Sequence, residues 1–255
     1  RMQAICLLDG FDALTSTLLE DALIDPSPAV RLHAIRLSES LLDNSPSLLN
    51  RTSRLANDPD PQVRQQLAYC LGESEFSLAS EILGALSNNA KDAYSSAAIL
   101  SSANRRTDKV LAFSEPERFS TDLFVGLLHT ALANKNDSSV RKLITTAADN
   151  RTAGILDTLS RRSGSLSKYA SLLQPQFDHA LTTLANRNYA DADRIQALEI
   201  LGRAPSAISA PEKNLWPLLE QPNSSSDLKI AVIQALARSG QTQVATQLLQ
   251  LWDGF

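Results

Sequence analysis

The side chains able to do chemistry are few and scattered along the chain. The histidines are His33, His129 and His179, and the cysteines are Cys6 and Cys70. A metal centre needs several converging ligands, and two ligands on one helix face must recur three or four residues apart. No two histidines have that spacing, and no His-Glu-x-x-His occurs. Each histidine therefore reads as a surface or half-buried helix residue. Two cysteines alone cannot complete a four-ligand zinc site. Cys6 beside Leu7 and Cys70 beside Leu71 lie in apolar helical patterns, so both read as small buried hydrophobes. A disulfide between them requires their helices to lie close together.

Two carboxylate pairs, Asp58/Asp60 and Asp191/Asp193, have the spacing for acid–base work. Each stands at the start of a helical pattern, where a carboxylate caps free N–H groups and favours the helix dipole. Capping is the expected role. A serine nucleophile elbow needs Gly-x-Ser-x-Gly, and none is present; Ser163-Gly164-Ser165 reads as a turn. Gly-rich phosphate loops are also missing. Arg105-Arg106 and Arg161-Arg162 each follow a helical segment, where cations complement the negative helix end; anion binding is the other use of such pairs. The expectation is a non-enzymatic chain that carries no cofactor of its own and works through its surface.

The elements that would carry this surface are helices. Aromatics are only 5% of residues and glycines number 9, too few for the strands and turns of a β-sandwich or barrel. Leu and Ala, both strong helix formers, dominate the apolar set. A net charge of −4 and a pI near 5.4 leave no excess of cations to neutralise phosphates, so nucleic acid is not an expected partner. No apolar run reaches the roughly 18–20 residues that a bilayer span requires, so direct membrane insertion is not expected.

Internal repetition is the clearest pattern. Asp25-Pro26-Ser27-Pro28-Ala29-Val30-Arg31 recurs as Asp58-Pro59-Asp60-Pro61-Gln62-Val63-Arg64, 33 residues on and identical at five of seven positions. That period suits a helical repeat. The prolines end one helix, and Pro28 and Pro61 can occupy the first turn of the next, where a missing N–H costs nothing. Asp25 and Asp58 can accept from backbone N–H groups in the turn. Val30, Ala34, Leu37 and Leu41 then follow helical spacing, as do Val63, Leu67 and Cys70. Amphipathic segments around 14–23 and 46–56 precede the two motifs. Weaker copies begin at Asp92, Asp137-Ser138-Ser139-Val140-Arg141, Asp191 and Asp227. The last three follow candidate first helices at 122–133, 176–186 and 211–220. Residues 113–119 read as an irregular connection, and Ser163-Gly164-Ser165 and Gln174-Pro175 as breaks. The predicted fold is all-α, a solenoid of antiparallel helix pairs forming one domain over 1–255. A boundary near 105–120 is the alternative. Both ends look cut from a longer chain.

The Asp-Pro-x-Pro-x-Val-Arg unit resembles the HEAT repeat. That resemblance implies an Asp–Arg ladder between neighbouring repeats, at Asp25, Arg31, Asp58 and Arg64, and at Asp137 and Arg141. It also implies that the second helix of each pair lines a concave face. There His33, Arg36, Gln66 and Tyr69 would form a mixed polar and aromatic strip, a candidate docking surface. Segments 1–14 (RMQAICLLDGFDAL), 28–42 (PAVRLHAIRLSESLL) and 97–102 (AAILSS) resemble, more narrowly, the HEAT region of planctomycete-type haem-binding proteins labelled membrane-bound dehydrogenases. Those proteins join a β-propeller, a HEAT array and a cytochrome c domain. The resemblance implies a periplasmic or exported parent whose redox chemistry lies elsewhere, since Cys-x-x-Cys-His is absent from this sequence. The expected role is a scaffold that docks a protein or neighbouring domains of the same chain. The alternative is a HEAT-like domain that binds or acts on a pigment or nucleobase in a concave-face pocket.

Overall fold

The computed structural model describes residues 1–74, 76–204, 215–220 and 224–238, with residues 246 and 249. It is all-helical, 78% helix, with no strand among the described residues. The chain divides into two compact units, Arg1–Thr146 and Ala147–Phe255.

The first unit holds α1 (Met2–Gly10), α2 (Ser16–Ala22), α3 (Pro28–Leu42), α4 (Pro46–Ser53), α5 (Pro61–Glu73), α6 (Ser77–Asn89), α7 (Ala93–Ala103), α8 (Thr107–Ala112), α9 (Thr121–Ala133) and α10 (Asp137–Thr145). Two series of contacts run through it. In one, α3 packs on α5, α5 on α7 and α7 on α9; in the other, α2 meets α4, α6 meets α8 and α8 meets α10. The helices of this other series begin at Ser16, Pro46, Ser77, Thr107 and Asp137, a spacing of 30 or 31 residues throughout.

Local chemistry sets these starts. Thr15, Ser45, Asp60, Asp92, Ser120 and Asn136 each accept a backbone N–H from the first turn of the helix that follows, satisfying donors that the helix itself cannot. Pro28 and Pro61 open α3 and α5. The buried stripe of α3 is Val30, Ala34, Ile35, Ser38 and Leu42, rotated from the expected Val30, Ala34, Leu37 and Leu41. Leu37 and Leu41 are half-buried. The helix is covered by α1, α2, α4 and α5 together, so it buries a wider arc than one partner would require.

The interval 105–120 lies inside the first unit. Thr107–Ala112 forms α8, and only Pro116–Arg118 adds a short 3-10 turn. The sequence placed 122–133 as a first helix leading to Asp137. Instead α9 continues the series of α3, α5 and α7, and α10 joins that of α8.

The second unit contains α11 (Thr152–Ser160), α12 (Ser165–Ala185), α13 (Asp191–Arg203), α14 (Trp216–Glu220) and α15 (Ser226–Arg238). The helix expected over 211–220 is described only from Trp216. Helix α12 packs on α11 and α13, and α13 packs on α15. Gln174-Pro175 does not break the chain: Pro175 lies inside α12. An interior proline costs a helix about 3 kcal/mol, but Tyr169, Leu173, Phe177, Ala180 and Leu184 form one buried stripe across it. That continuous stripe holds the helix together. Gly164 precedes it at φ 77°, a left-handed conformation that glycine adopts without strain.

Close approach of α6 to α8 depends on Gly84, where an added Cβ would stand 2.7 Å from the Phe113 carbonyl oxygen. Replacing a helical glycine with alanine ordinarily gains about 1 kcal/mol. Here the backbone obstacle cannot rotate away, and Gly84→Ala should instead destabilise the chain by roughly 1–3 kcal/mol in urea unfolding. A stabilised variant would contradict this packing.

Candidate functional site

The twin-proline turns place their charged residues on one edge of the first unit. Asp25 Oδ1 accepts the Ser27 N–H at 2.8 Å, and Asp58 Oδ1 accepts the Asp60 N–H at 2.9 Å. Asp60 then caps α5 by accepting from Gln62 and Val63. Both members of the Asp58/Asp60 pair are thus occupied by backbone donors. Proline has no N–H, so the carbonyls around these turns lack their usual donors. Arginine supplies them: Arg31 Nη1 donates to the carbonyls of Asp25 and Pro26 at 2.8 and 3.2 Å. Arg64 Nη1 donates to those of Asp58 and Pro59 at 2.5 and 3.2 Å.

The free side of the Arg31 fork crosses to the next turn. Nε and Nη2 donate to the two Asp58 carboxylate oxygens at 2.7 and 2.8 Å. The side chains are only 12% and 3% exposed, so this bidentate bridge is well shielded. It raises the Arg31 pKa above its ordinary value, keeping the charge fixed. Arg1 Nε stands 3.0 Å from Asp25 Oδ2, but Arg1 is 67% exposed and its contribution is correspondingly screened. The series ends at Arg64. Asp25 and Asp58 stand three residues before the first helical residue, and before α7 that position is Ala90.

Asp137 and Arg141 are placed differently. Arg141 Nε donates to Asp137 Oδ2 at 2.6 Å within α10, and both side chains are exposed by 40% or more. The reason is spacing. Asp and Arg six residues apart, with prolines between, put the Asp outside the helix. Four apart, they share one helix face. Arg194 occupies the same fourth helical position in α13 as Arg31 in α3. It is 5% exposed, 3.5 Å from Asp191, with Nε and Nη2 unpartnered.

A second edge of cross-links, unmarked by any sequence motif, joins the C-terminal ends of α3, α5, α7 and α9. The residues closing these helices are Asp43, Ser74, Asn104 and Asn134. Ser74 Oγ donates to Asp43 Oδ1 at 2.9 Å. Arg106 donates to the carbonyls of Ser74 and Gly72 at 2.7 and 3.1 Å. Asn134 Nδ2 donates to the Asn104 backbone carbonyl and, at 3.2 Å, to its side-chain oxygen. Small polar residues recurring at intervals of 30 or 31 were the available signal.

A scan against protein-family models matches none, and a search of curated proteins returns no significant match.

The expected docking strip lies on α3 and α5, which pack against each other. Arg36 and Tyr69 are exposed, Tyr69 by 43%, whereas His33 and Gln66 are half-buried. The Nδ1 of His33 is shielded without a hydrogen-bond partner. His33, His129 and His179 lie on α3, α9 and α12, and no group of three metal-type ligands converges among the described residues. Both cysteines are free thiols. Cys70 donates to the Ile35 carbonyl at 3.4 Å, and burial pushes its pKa up to about 12, so it stays protonated at neutral pH. Among the described residues no helix is long and apolar enough to cross a membrane.

The contrast between the two Asp–Arg pairs is measurable. Asp58→Asn should cost about 2–4 kcal/mol, since it leaves a shielded guanidinium without its counter-charge. Asp137→Asn should cost less than about 1 kcal/mol. Equal losses in chemical denaturation would contradict the two placements.

Proposed function

We infer that the chain is a non-catalytic scaffold, a HEAT-like stack of helix pairs that docks or spaces protein modules. The Arg31–Asp58 bridge is the observation that carries this reading. It fixes one twin-proline turn to the next, joining Arg31 to Asp58, 27 residues on, by a bidentate contact whose geometry a flexible connection could not hold. Glu20–Ser47 and Asn88–Glu115 repeat the 27-residue offset elsewhere in the unit. Such stacks present extended surfaces to partners, and the α3–α5 strip with Arg36 and Tyr69 is the proposed docking face. The resemblance of residues 1–102 to planctomycete-type haem-binding dehydrogenase-like proteins supports placing the stack in a larger, exported redox protein. In that setting it would hold the chemistry-bearing domains apart.

A photo-crosslinking residue at position 36 or 69 of the full-length protein tests the docking face. It should capture a defined protein segment, and the same probe at exposed Asp108 on α8 should not. Equal yields from the two sites would remove the face from consideration.

A further inference from the structure

We propose that the first unit binds a sugar phosphate in a polar cavity where α5, α6, α7 and α8 come together. The cavity has a volume of about 470 Å³, within the range of small-molecule sites. Its lining is rich in hydroxyls and cations, the opposite of a site for an apolar ligand.

Three kinds of group converge there. The first is unpaired positive charge. Arg105 and Lys109 are exposed at the cavity, and neither side chain forms a hydrogen bond or ion pair among the described residues. Arg106 also lines it, but its fork is committed to the carbonyls of Gly72 and Ser74. It thereby offsets the negative end of α5 and leaves the other two cations available. Among the described lining residues, Glu73 at the rim is the opposing charge.

The second is helix α6, 13 residues long, which opens into the cavity at Ser77. Its N-cap position is Phe76, which offers no side-chain acceptor. The Ala79 N–H donates to the Phe76 carbonyl at 3.1 Å, which leaves the Ser77 and Leu78 N–H groups for another acceptor, and a phosphate oxygen suits both these donors and the helix dipole.

The third is a pair of hydroxyls on nearly buried residues. Ser80 is 2% exposed and Ser102 is 7% exposed; both line the cavity, and neither side chain makes a hydrogen bond among the described residues. Neither oxygen is sealed inside the protein, so both open to the cavity, where a polar occupant can bond to them. Gly72 lets Ser102 sit close against α5 at the cavity wall, since a Cβ there would stand 2.7 Å from Ser102 Oγ.

A second hollow of about 440 Å³ shares Asn104 and Arg105 with the first and is completed by Thr107, Asn134 and Asn136. Asn134 Nδ2, Asn136 Oδ1 and the Thr107 hydroxyl are already engaged, but the Asn104 and Asn136 amide N–H groups make no hydrogen bond among the described residues and can donate to sugar hydroxyls. Phosphate at Arg105, Lys109 and the α6 terminus, with a polyol reaching the asparagines, uses both hollows at once.

Isothermal titration calorimetry with the whole chain tests this, using ribose 5-phosphate, inorganic phosphate and ribose as probes. Ribose 5-phosphate should bind saturably and at least tenfold tighter than inorganic phosphate, and ribose should give no measurable heat. Arg105→Ala/Lys109→Ala should weaken ribose 5-phosphate at least tenfold. These two side chains are exposed and make no hydrogen bond or ion pair among the described residues, so circular dichroism should be unchanged; Arg105→Gln alone, the milder variant, should weaken binding at least threefold. Glu73→Gln should tighten binding at least twofold, a gain that damage to the fold cannot imitate. The proposal is overturned if ribose 5-phosphate shows no saturable binding, if ribose binds equally well, or if the charge variants leave affinity unchanged.

Discussion

Arg31 serves two demands with one guanidinium. The prolines that punctuate the turn before α3 remove backbone donors, and the carbonyls of Asp25 and Pro26 take Nη1 in their place. The other side of the fork must then find an anion, because a shielded cation without one is strongly destabilising. Asp58 provides it, while its own turn is held by Asp60 and braced by Arg64. Each turn is thus completed by contacts inside itself and by one contact to its neighbour. Remove the carboxylate, and both the local brace and the link to the next pair lose their support.

Cross-links at the other edge do comparable work without an ion pair. Asp43, Ser74, Asn104 and Asn134 end their helices at nearly constant intervals, and side chains of the same edge tie each end to the next. Between the edges lies an apolar interior, including Leu67, Leu71, Leu83, Ile99, Leu123 and Phe124. Burial of such side chains stabilises by about 1.5–3 kcal/mol each, but it is non-directional. The polar edges supply the register that apolar contact alone leaves loose.

The helical class and the first two twin-proline turns were legible because proline, Asp and Arg act locally and at fixed spacing. Helices α6 and α8 were harder to read. Neither opens with proline, and α8 is only six residues long, too short for a periodic pattern to declare itself. The Asp137 segment misled for a related reason: its Val-Arg matched the motif while its Asp lay two positions too near. Pro175 misled in the opposite direction, since a local helix breaker was overruled by a stripe buried on both sides of it. The cavity residues were largely invisible. Arg105-Arg106 could be seen as a cationic pair, but which of the two is committed to a carbonyl depends on where α5 ends. The serines that join them come from separate helices.

The central claim is that Arg31 and Asp58 stabilise the first unit together, across two helix pairs, and not each within its own turn. A double-mutant cycle with Arg31→Met, Asp58→Asn and the combined variant, followed by urea unfolding, measures this directly. The bridge predicts a coupling energy above about 1.5 kcal/mol, in the range found for residues in direct contact. A coupling below about 0.5 kcal/mol, as for independent sites, would contradict it.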